Sequence, residues 1–452
     1  MLRSKQFNWA SDEDGSTTIL SLFLFLIALI LGGLAIDFNK VISERTQLQV
    51  AADSAAHAAL YTREKNGSEA AVAKALETVT DMLPESQFGS TALMTTDVNF
   101  GVWDKSELTF LENADSKTAV RVQAMMKQER DNASRNLLLR LIGQDTFDVG
   151  VESVYSTYFP GCFTEGFVAE EVVDIQSNNS FTNGFCIHSN QYVSMNQNNF
   201  FEPGTVVSMP NVEDLDIPKS GFDKNDGLQT ALRGGKYRLR LLNQLPDIIE
   251  SFWSAKAEHL PPYVSPGYYY DVDLKEFPGL PPDEPKPKGN TNSLNPYHFE
   301  PNTVNRMSCG GSGKITMDAG LYEQFVFISD CEVKFSNGVI LEDVVIATTD
   351  TGAASLNSPQ GLQIGRYDNC APGGGATLMT LGGFRAASSL SVHNGQILAI
   401  GDIDFAANAG GVKGASFVSY GRIDGTSNMD MGYCQNSGME NAYRAPYFRM
   451  VN

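Results

Sequence analysis

The chain has 452 residues, a formal net charge of −20 and only 19% charged side chains. It holds no basic stripe to displace counterions from phosphates, which argues against nucleic acid as a partner and against broad adhesion to anionic headgroups. The length suits roughly three domains, and 41 glycines point to turn-dense β structure rather than a helical bundle.

The first element is apolar. Thr17 to Ile36 runs 20 residues without a charge between Asp14 and Asp37. As a helix it measures about 30 Å, the thickness of a bilayer's hydrocarbon core. A secretion signal has a shorter apolar run, although Gly33-Leu34-Ala35 offers a small-x-small cleavage site. A processed pilin leader needs a glutamate five residues after its glycine, and Leu20 stands there after Gly15. The expectation is a retained single span behind a short cytoplasmic tail, residues 1–16. Basic residues flank the span evenly, Arg3 and Lys5 before it and Lys40 and Arg45 after it, so charge does not orient it.

Beyond the span no proline or glycine interrupts the chain until Gly67, and six of the residues from 51 to 60 are alanine. The predicted helix therefore continues to about Lys65. Val41, Leu48 and Ala55, with Ala52 and Ala59 beside them, form a smooth seam that another helix can approach closely. Ser68 is placed to cap a second helix that Pro84 stops. "DVNFGVWD", "SELTFLEN" and "TAVRVQAMM" alternate like strands, "DNASRNLLLRLIG" has a helical period, and "TFDVGVESVYSTYF" closes as a strand. A small pilin-like α+β domain is expected over 37–158.

These residues resemble a known family, the TadG-like proteins of Flp (tight adherence) pilus assembly, whose N-terminal module is TadE-like. The likeness rests on the span opening at Gly15-Ser16, on "LAID" (34–37) and on "QLQVAADSAAHAAL" (47–60). It continues through "VNFGVWD", "AVRVQA", "NLLLRLIG" and "FDVGVESV". It implies an inner-membrane protein with a periplasmic body that works beside other TadE-like subunits rather than as an enzyme. Asp37 and Asp53 match acidic positions of the family's pattern. They are either a span terminus and a solvated stem residue or, with Leu48, Ala52, Ala55 and Ala59, contacts to a partner subunit. Some TadG-like proteins carry a metal-dependent adhesion domain; its D-x-S-x-S motif is missing from this sequence.

All six cysteines, Cys162, Cys186, Cys309, Cys331, Cys370 and Cys434, lie in the second part of the chain, without CxxC spacing. This reads as disulfides in an oxidising compartment, which places the C-terminal part outside the cytoplasm. Of the many pairings open to six cysteines, near neighbours are preferred: Cys162–Cys186, Cys309–Cys331 and Cys370–Cys434.

Residues 159–452 show internal repetition. "LQIGRYD" (362–368), "MTLGGFR" (379–385), "LAIGDID" (398–404) and "VSYGRID" (418–424) share one pattern, with glycines 17, 19 and 20 residues apart. Glycine at a corner between short inward-facing strands produces such a repeat in a right-handed parallel β-helix, or β-solenoid; a β-sandwich is the alternative. Met379, Leu398 and Val418 are expected in one internal column, and Phe384, Ile403 and Ile423 in another. Stretches 185–210 and 323–349 read as further coils. Residues of about 213–307 read as an insertion with mixed helix and an extended Pro/Lys-rich link, "PGLPPDEPKPKG".

Motifs for chemistry are sparse. Asp368, Asp404 and Asp424 fall at equivalent outward positions, the kind of paired carboxylates a polysaccharide-cleaving enzyme or a cation site uses. Arg385 and Arg422 are near enough to account for them as ion pairs. Asp350-Thr351-Gly352 matches an aspartic-protease core but reads better as a turn, as does "GGSGKI" (310–315), which lacks a phosphate loop's first glycine and its Ser/Thr. The five histidines are scattered. No cofactor or metal is implied. The expectation is a non-enzymatic pilus-assembly component, single-pass in the inner membrane, offering a rigid acidic surface to a partner, the cell wall or polysaccharide. The competing expectation is a membrane-tethered carbohydrate-active β-helix enzyme.

Overall fold

A computed structural model describes residues 16–283, 285, 293–310 and 313–452. Residues 1–15 of the expected cytoplasmic tail, most of the Lys-rich end of the link and part of "GGSGKI" lie outside the described residues. The chain divides into two compact units, one of 1–158 with 446–452 and one of 159–445.

The first unit is organised by helix α1, Ser16–Lys65, unbroken over 50 residues. Its apolar part, 17–36, is long and apolar enough to cross a membrane and is exposed along its length except at Gly33. From Leu48 onward the same helix is core. Leu48, Ala51, Ala52, Ala55, Ala56, Ala59 and Leu60 are fully buried against helix α2 (Ser68–Met82) and a five-stranded antiparallel sheet. Alanine's small side chain lets these backbones approach closely. The N-cap of α2 is Gly67, without a side-chain cap, so Ser68 begins the helix rather than capping it.

The sheet runs in the order Thr109–Glu112, Val98–Asp104, Ala119–Met126, Val149–Tyr158 and Tyr447–Met450. The last strand comes from the C-terminus, which sequence reading had assigned to the second domain. It pairs antiparallel with the fourth, Tyr447 opposite Tyr158 and Met450 opposite Tyr155. The β-rich unit is therefore an insertion between two neighbouring strands of the small one. The helix expected over 131–143 is replaced by a short 3-10 turn, Leu139–Ile142, between the paired strands Ser134–Arg135 and Thr146–Phe147. The Asn132 side chain donates to the Phe88 and Met125 carbonyls and Asn136 to the Gln144 carbonyl, which ties this segment to other parts of the unit instead of to a helix of its own.

The second unit is a ladder of parallel strands. Gly166 lies opposite Cys186 and Cys186 opposite Val206, so successive partners are 20 residues apart. Gly166–Ala169 has a second neighbour, Ser416–Ser419. The chain thus starts in the middle of the ladder, runs outward to Leu232–Gly234, and crosses as the helix Arg240–Trp253. It resumes at the far end with Tyr269–Asp271 and stacks inward until 416–419 closes on 166–169. Strands at 269–271, 293–294 and 304–307 belong to the ladder, so the excursion is shorter than the expected insertion.

Three of the four repeats stack in register: Met379, Leu398 and Val418 form one column, and Phe384, Ile403 and Ile423 another. "LQIGRYD" departs from them and pairs with 340–341 and 391–392. The main core is filled by the alternate residues, Leu378, Ile397, Phe417 and Phe167. Met379, Leu398 and Val418 are buried on the opposite face of those strands. The helix Arg240–Trp253 lies against strands Gly320–Ser329 and Phe384–Ala399, and buries Leu241, Leu245, Ile248, Ile249 and Phe252. Strands covered on both faces read as continuous apolar runs, which hides their parity in sequence. The glycine at a corner is required by close approach: a Cβ on Gly382 would stand 2.3 Å from the Gly352 carbonyl oxygen.

Side chains add ladders of their own. Phe181 stacks on Phe201 at 4.8 Å and Phe167 on Phe417 at 5.1 Å. Buried Asn179, Asn199 and Asn225 form a column in which Asn199 Oδ1 accepts the Asn179 N–H and Asn225 Oδ1 accepts the Asn199 N–H. Where the ladder closes, buried Glu165 accepts the N–H groups of Cys434 and Asn436. Three disulfides, Cys162–Cys186, Cys309–Cys331 and Cys370–Cys434, hold the unit, with Cα atoms 4.8, 5.5 and 5.6 Å apart. They join near neighbours, the preferred pairing.

Two expectations follow from these buried polar groups. Asn199→Ala strands the Asn179 N–H, and denaturant unfolding should show a loss of about 2–3 kcal/mol. Burial pushes the Glu165 carboxyl above its ordinary value of 4.5, although its two N–H partners and Arg444 oppose this. Its contribution to stability is present below the unfolded carboxyl's pKa and is lost as pH rises through the folded value. Unfolding midpoints measured across this range should fall less steeply with rising pH in Glu165→Gln than in the parent.

Candidate functional site

At the end of the apolar span, one stripe of α1 faces inward at helical spacing: Gly33, Asp37, Lys40 and Glu44. All four meet one segment, which descends along the helix. Glu44, 2% exposed, accepts from the Ser134 hydroxyl, and Lys40 donates to the Arg135 carbonyl. Asp37 is fully buried, and its carboxylate accepts the N–H groups of Leu137, Leu138 and Leu139 at 2.7, 2.9 and 2.7 Å. A Cβ on Gly33 would lie 3.0 Å from the Leu138 Cβ. From Glu44 to Gly33 the helix falls about 16 Å, so this segment is fastened alongside it down into the apolar span.

A carboxylate holding three backbone donors satisfies the free N–H groups at the start of the 3-10 turn, as a cap does, but from a separate helix. Asp37 thus does more than end the span. The sequence reading missed Lys40, Glu44 and their partner segment. The recurrence of small or polar residues at 33, 37, 40 and 44 was the available clue.

The other candidate contact residues are placed differently. Leu48, Ala52, Ala55 and Ala59 are fully buried in the unit's own core, so their seam is filled by α2 and the sheet rather than offered to a partner. A helix this poor in side-chain volume needs close neighbours, and the chain supplies them itself. Asp53 is half-buried and accepts from Gln49 at 2.8 Å.

In the β-rich unit the carboxylates regroup. Arg385, Asp404, Asp424 and Asp174 stand opposite one another on successive strands, followed by Ser194. Asp368 is elsewhere, paired with Arg366 at 2.6 Å. Asp174 takes its place because "VAEEVVD" (168–174) stacks as a further copy of the repeat, with Glu171 where glycine was sought. Arg422 reaches Asp424 at 2.9 Å and Asp174 at 3.9 Å. Burial and then the neighbouring Asp424 carboxylate push both the Asp174 and Asp404 carboxyls up. Asp404, Asp424, Asp402, Arg385 and Arg422 line an open cleft of about 380 Å³.

The remaining motifs are structural. Asp350 closes a turn by accepting the Gly352 N–H. Among the described residues, one grouping has metal-ligand character, Cys309, Asp330 and Cys331, and its cysteines are bonded to each other. His188 is buried between Ser208 and Asn190.

The profile of a family described as a domain of unknown function (DUF7867) matches residues 166–435. The chain belongs to this family. The family's domain begins at the first strand of the parallel ladder and ends beside the Glu165 closure, so it coincides with the inserted unit. A second profile, described as putative Flp pilus-assembly TadE/G-like, matches residues 15–72. It covers α1 and the start of α2, a shorter stretch than the resemblance read to 158. No curated protein and no solved structure matches.

Removing the Asp37 carboxylate leaves three N–H groups without their acceptor. In Asp37→Ala, amide exchange at Leu137, Leu138 and Leu139 should accelerate roughly tenfold or more while exchange in the Ala119–Met126 strand stays unchanged.

Proposed function

We propose that this chain is a membrane-anchored, non-enzymatic component of a Flp pilus-assembly apparatus. In this reading 17–36 spans the inner membrane once, and the inserted domain stands in the periplasm as a right-handed β-solenoid. The observation that carries it is the TadE/G-like match over 15–72, which falls on a helix that is exposed where it is apolar and core where it is alanine-rich. Three disulfides favour an oxidising compartment. The 20-residue register, the stacked phenylalanines and the asparagine column support the solenoid reading. With the alanine seam occupied internally, contact with other TadE-like subunits falls to the exposed span and the outer faces. The acidic outer wall would face a partner, the cell wall or polysaccharide.

The Asp174–Asp424–Asp404 column favours one second reading, a membrane-tethered carbohydrate-active enzyme, because stacked carboxylates, here with the Asp174 and Asp404 carboxyls pushed up, are what acid–base cleavage uses. Against it, Arg422 already pairs with two of the three, Asp424 and Asp174.

Alkaline phosphatase fused after Asn452 should be active in cells, and the protein should stay in the membrane fraction and cross-link to a TadE-like subunit. An inactive fusion, or a soluble mature form beginning near Ile36, rejects the anchored reading. Cleavage of an acidic polysaccharide by the full chain, lost in Asp404→Ala and Asp424→Ala, rejects the non-enzymatic one.

A further inference from the structure

The segment fastened by Asp37 carries apolar side chains that nothing in its own unit covers. Leu137, Leu141 and Ile142 are 58%, 68% and 59% exposed, on a turn of only a few residues. Isolated exposed leucines need no explanation, but three around one short turn do. Their height along α1 supplies it. Leu138 of the same turn lies against Gly33, the one buried residue among 17–36. Gly33 is inside the uncharged stretch, three positions before its end at Ile36. Whatever solvent surrounds that part of the helix also surrounds the turn beside it. Polar groups are placed to suit this. The turn's first three N–H groups are satisfied by Asp37, and exposed Arg135 and Arg140 are long enough to reach headgroup phosphates while their stems stay in apolar surroundings.

We propose that Leu137–Ile142 is a membrane-inserted loop, whose exposed Leu137, Leu141 and Ile142 side chains enter the acyl-chain boundary of the leaflet where α1 emerges. The proposal rests on the reading that 17–36 spans a bilayer. The loop gives the first unit a second attachment beside the helix, and Asp37 is the positioning residue that holds it at depth. Two apolar attachments constrain the tilt and rotation of the emerging helix more than the span alone does.

The test uses the full chain reconstituted in phosphatidylethanolamine–phosphatidylglycerol vesicles whose acyl chains are brominated near the headgroup. Leu141→Trp places a fluorophore on the loop, read after subtraction of the parent's native tryptophans. Leu111→Trp serves as control. Leu111 is 54% exposed on the hairpin beyond whose end the Ala114 carbonyl accepts from Arg63, roughly 40 Å further along α1. Bromolipid should quench the added fluorescence of Leu141→Trp by about twofold or more and leave Leu111→Trp unaffected. Adding Asp37→Ala to Leu141→Trp should reduce the quenching.

Equal quenching of the two tryptophans, with the protein still sedimenting with vesicles, overturns the loop proposal and leaves the anchor standing. Protein that does not sediment with vesicles overturns both. If Leu141→Trp is shielded from bromolipid and from aqueous iodide only at high protein-to-lipid ratio, the turn is a subunit contact and the proposal fails.

Discussion

The inserted domain depends on one backbone pairing between distant residues. Ser416–Ser419 must find Gly166–Ala169 across most of the domain, because the chain starts in the middle of its own ladder. Without that pairing the strands on either side would end in two unpaired edges, each open to intermolecular pairing. Loop closure over such a distance costs entropy that grows only slowly with length, so the arrangement is affordable at equilibrium but slow to form. The groups around the junction suit the task. Glu165 ties the start of the domain to Cys434 and Asn436, and Cys162–Cys186 locks the first two layers together. Closure also returns the end of the domain close to its beginning, as its insertion in the chain between two paired strands of the small sheet requires.

The small unit is built around a helix that meets two environments. Below Asp37, α1 exposes its apolar side chains; above Glu44 it is a core element with alanines against neighbouring backbone. Gly33, Asp37, Lys40 and Glu44 lie at the change, and they use a close contact, three N–H groups, a carbonyl and a hydroxyl to fix one polypeptide segment. Burying Asp37 is tolerable because its carboxylate keeps strong donors in place of water. The alanine seam that suggested a partner helix serves the protein's own sheet, which leaves surface rather than core for assembly.

Much of this architecture was legible in residues alone. The continuation of the helix from Asp37 to Lys65 followed from the lack of glycine and proline there, and the strands of the small sheet followed from their alternation. The column Phe384–Ile403–Ile423 followed from the glycine spacing, which sets one layer against the next. Two features misled. In "NLLLRLIG" the apolar spacing mimics a helix, whereas the leucines are arranged by a carboxylate a hundred positions away. Among the repeats, the apolar position at Met379, Leu398 and Val418 was taken to face the main core, but the helix Arg240–Trp253 makes the opposite face apolar too. Asp174 escaped notice because its copy of the repeat has Glu171 in place of glycine, although the Glu171 N–H still bonds the Gly421 carbonyl of the neighbouring copy.

What the sequence determined by itself is local or periodic: a helix apolar enough to cross a membrane, set by twenty uncharged residues, a stem set by helix propensity, and layer spacing set by glycine; it set the disulfide pairing only as a preference. What only the tertiary structure decided is long-range: the final strand joining the first unit, the ladder closing on its own middle, and Asp37 capping a turn on another segment. Propensity and periodicity act between neighbours along the chain and leave a pattern there. Pairing between backbones hundreds of residues apart is made by N–H and C=O groups that every residue carries, so it leaves no such mark.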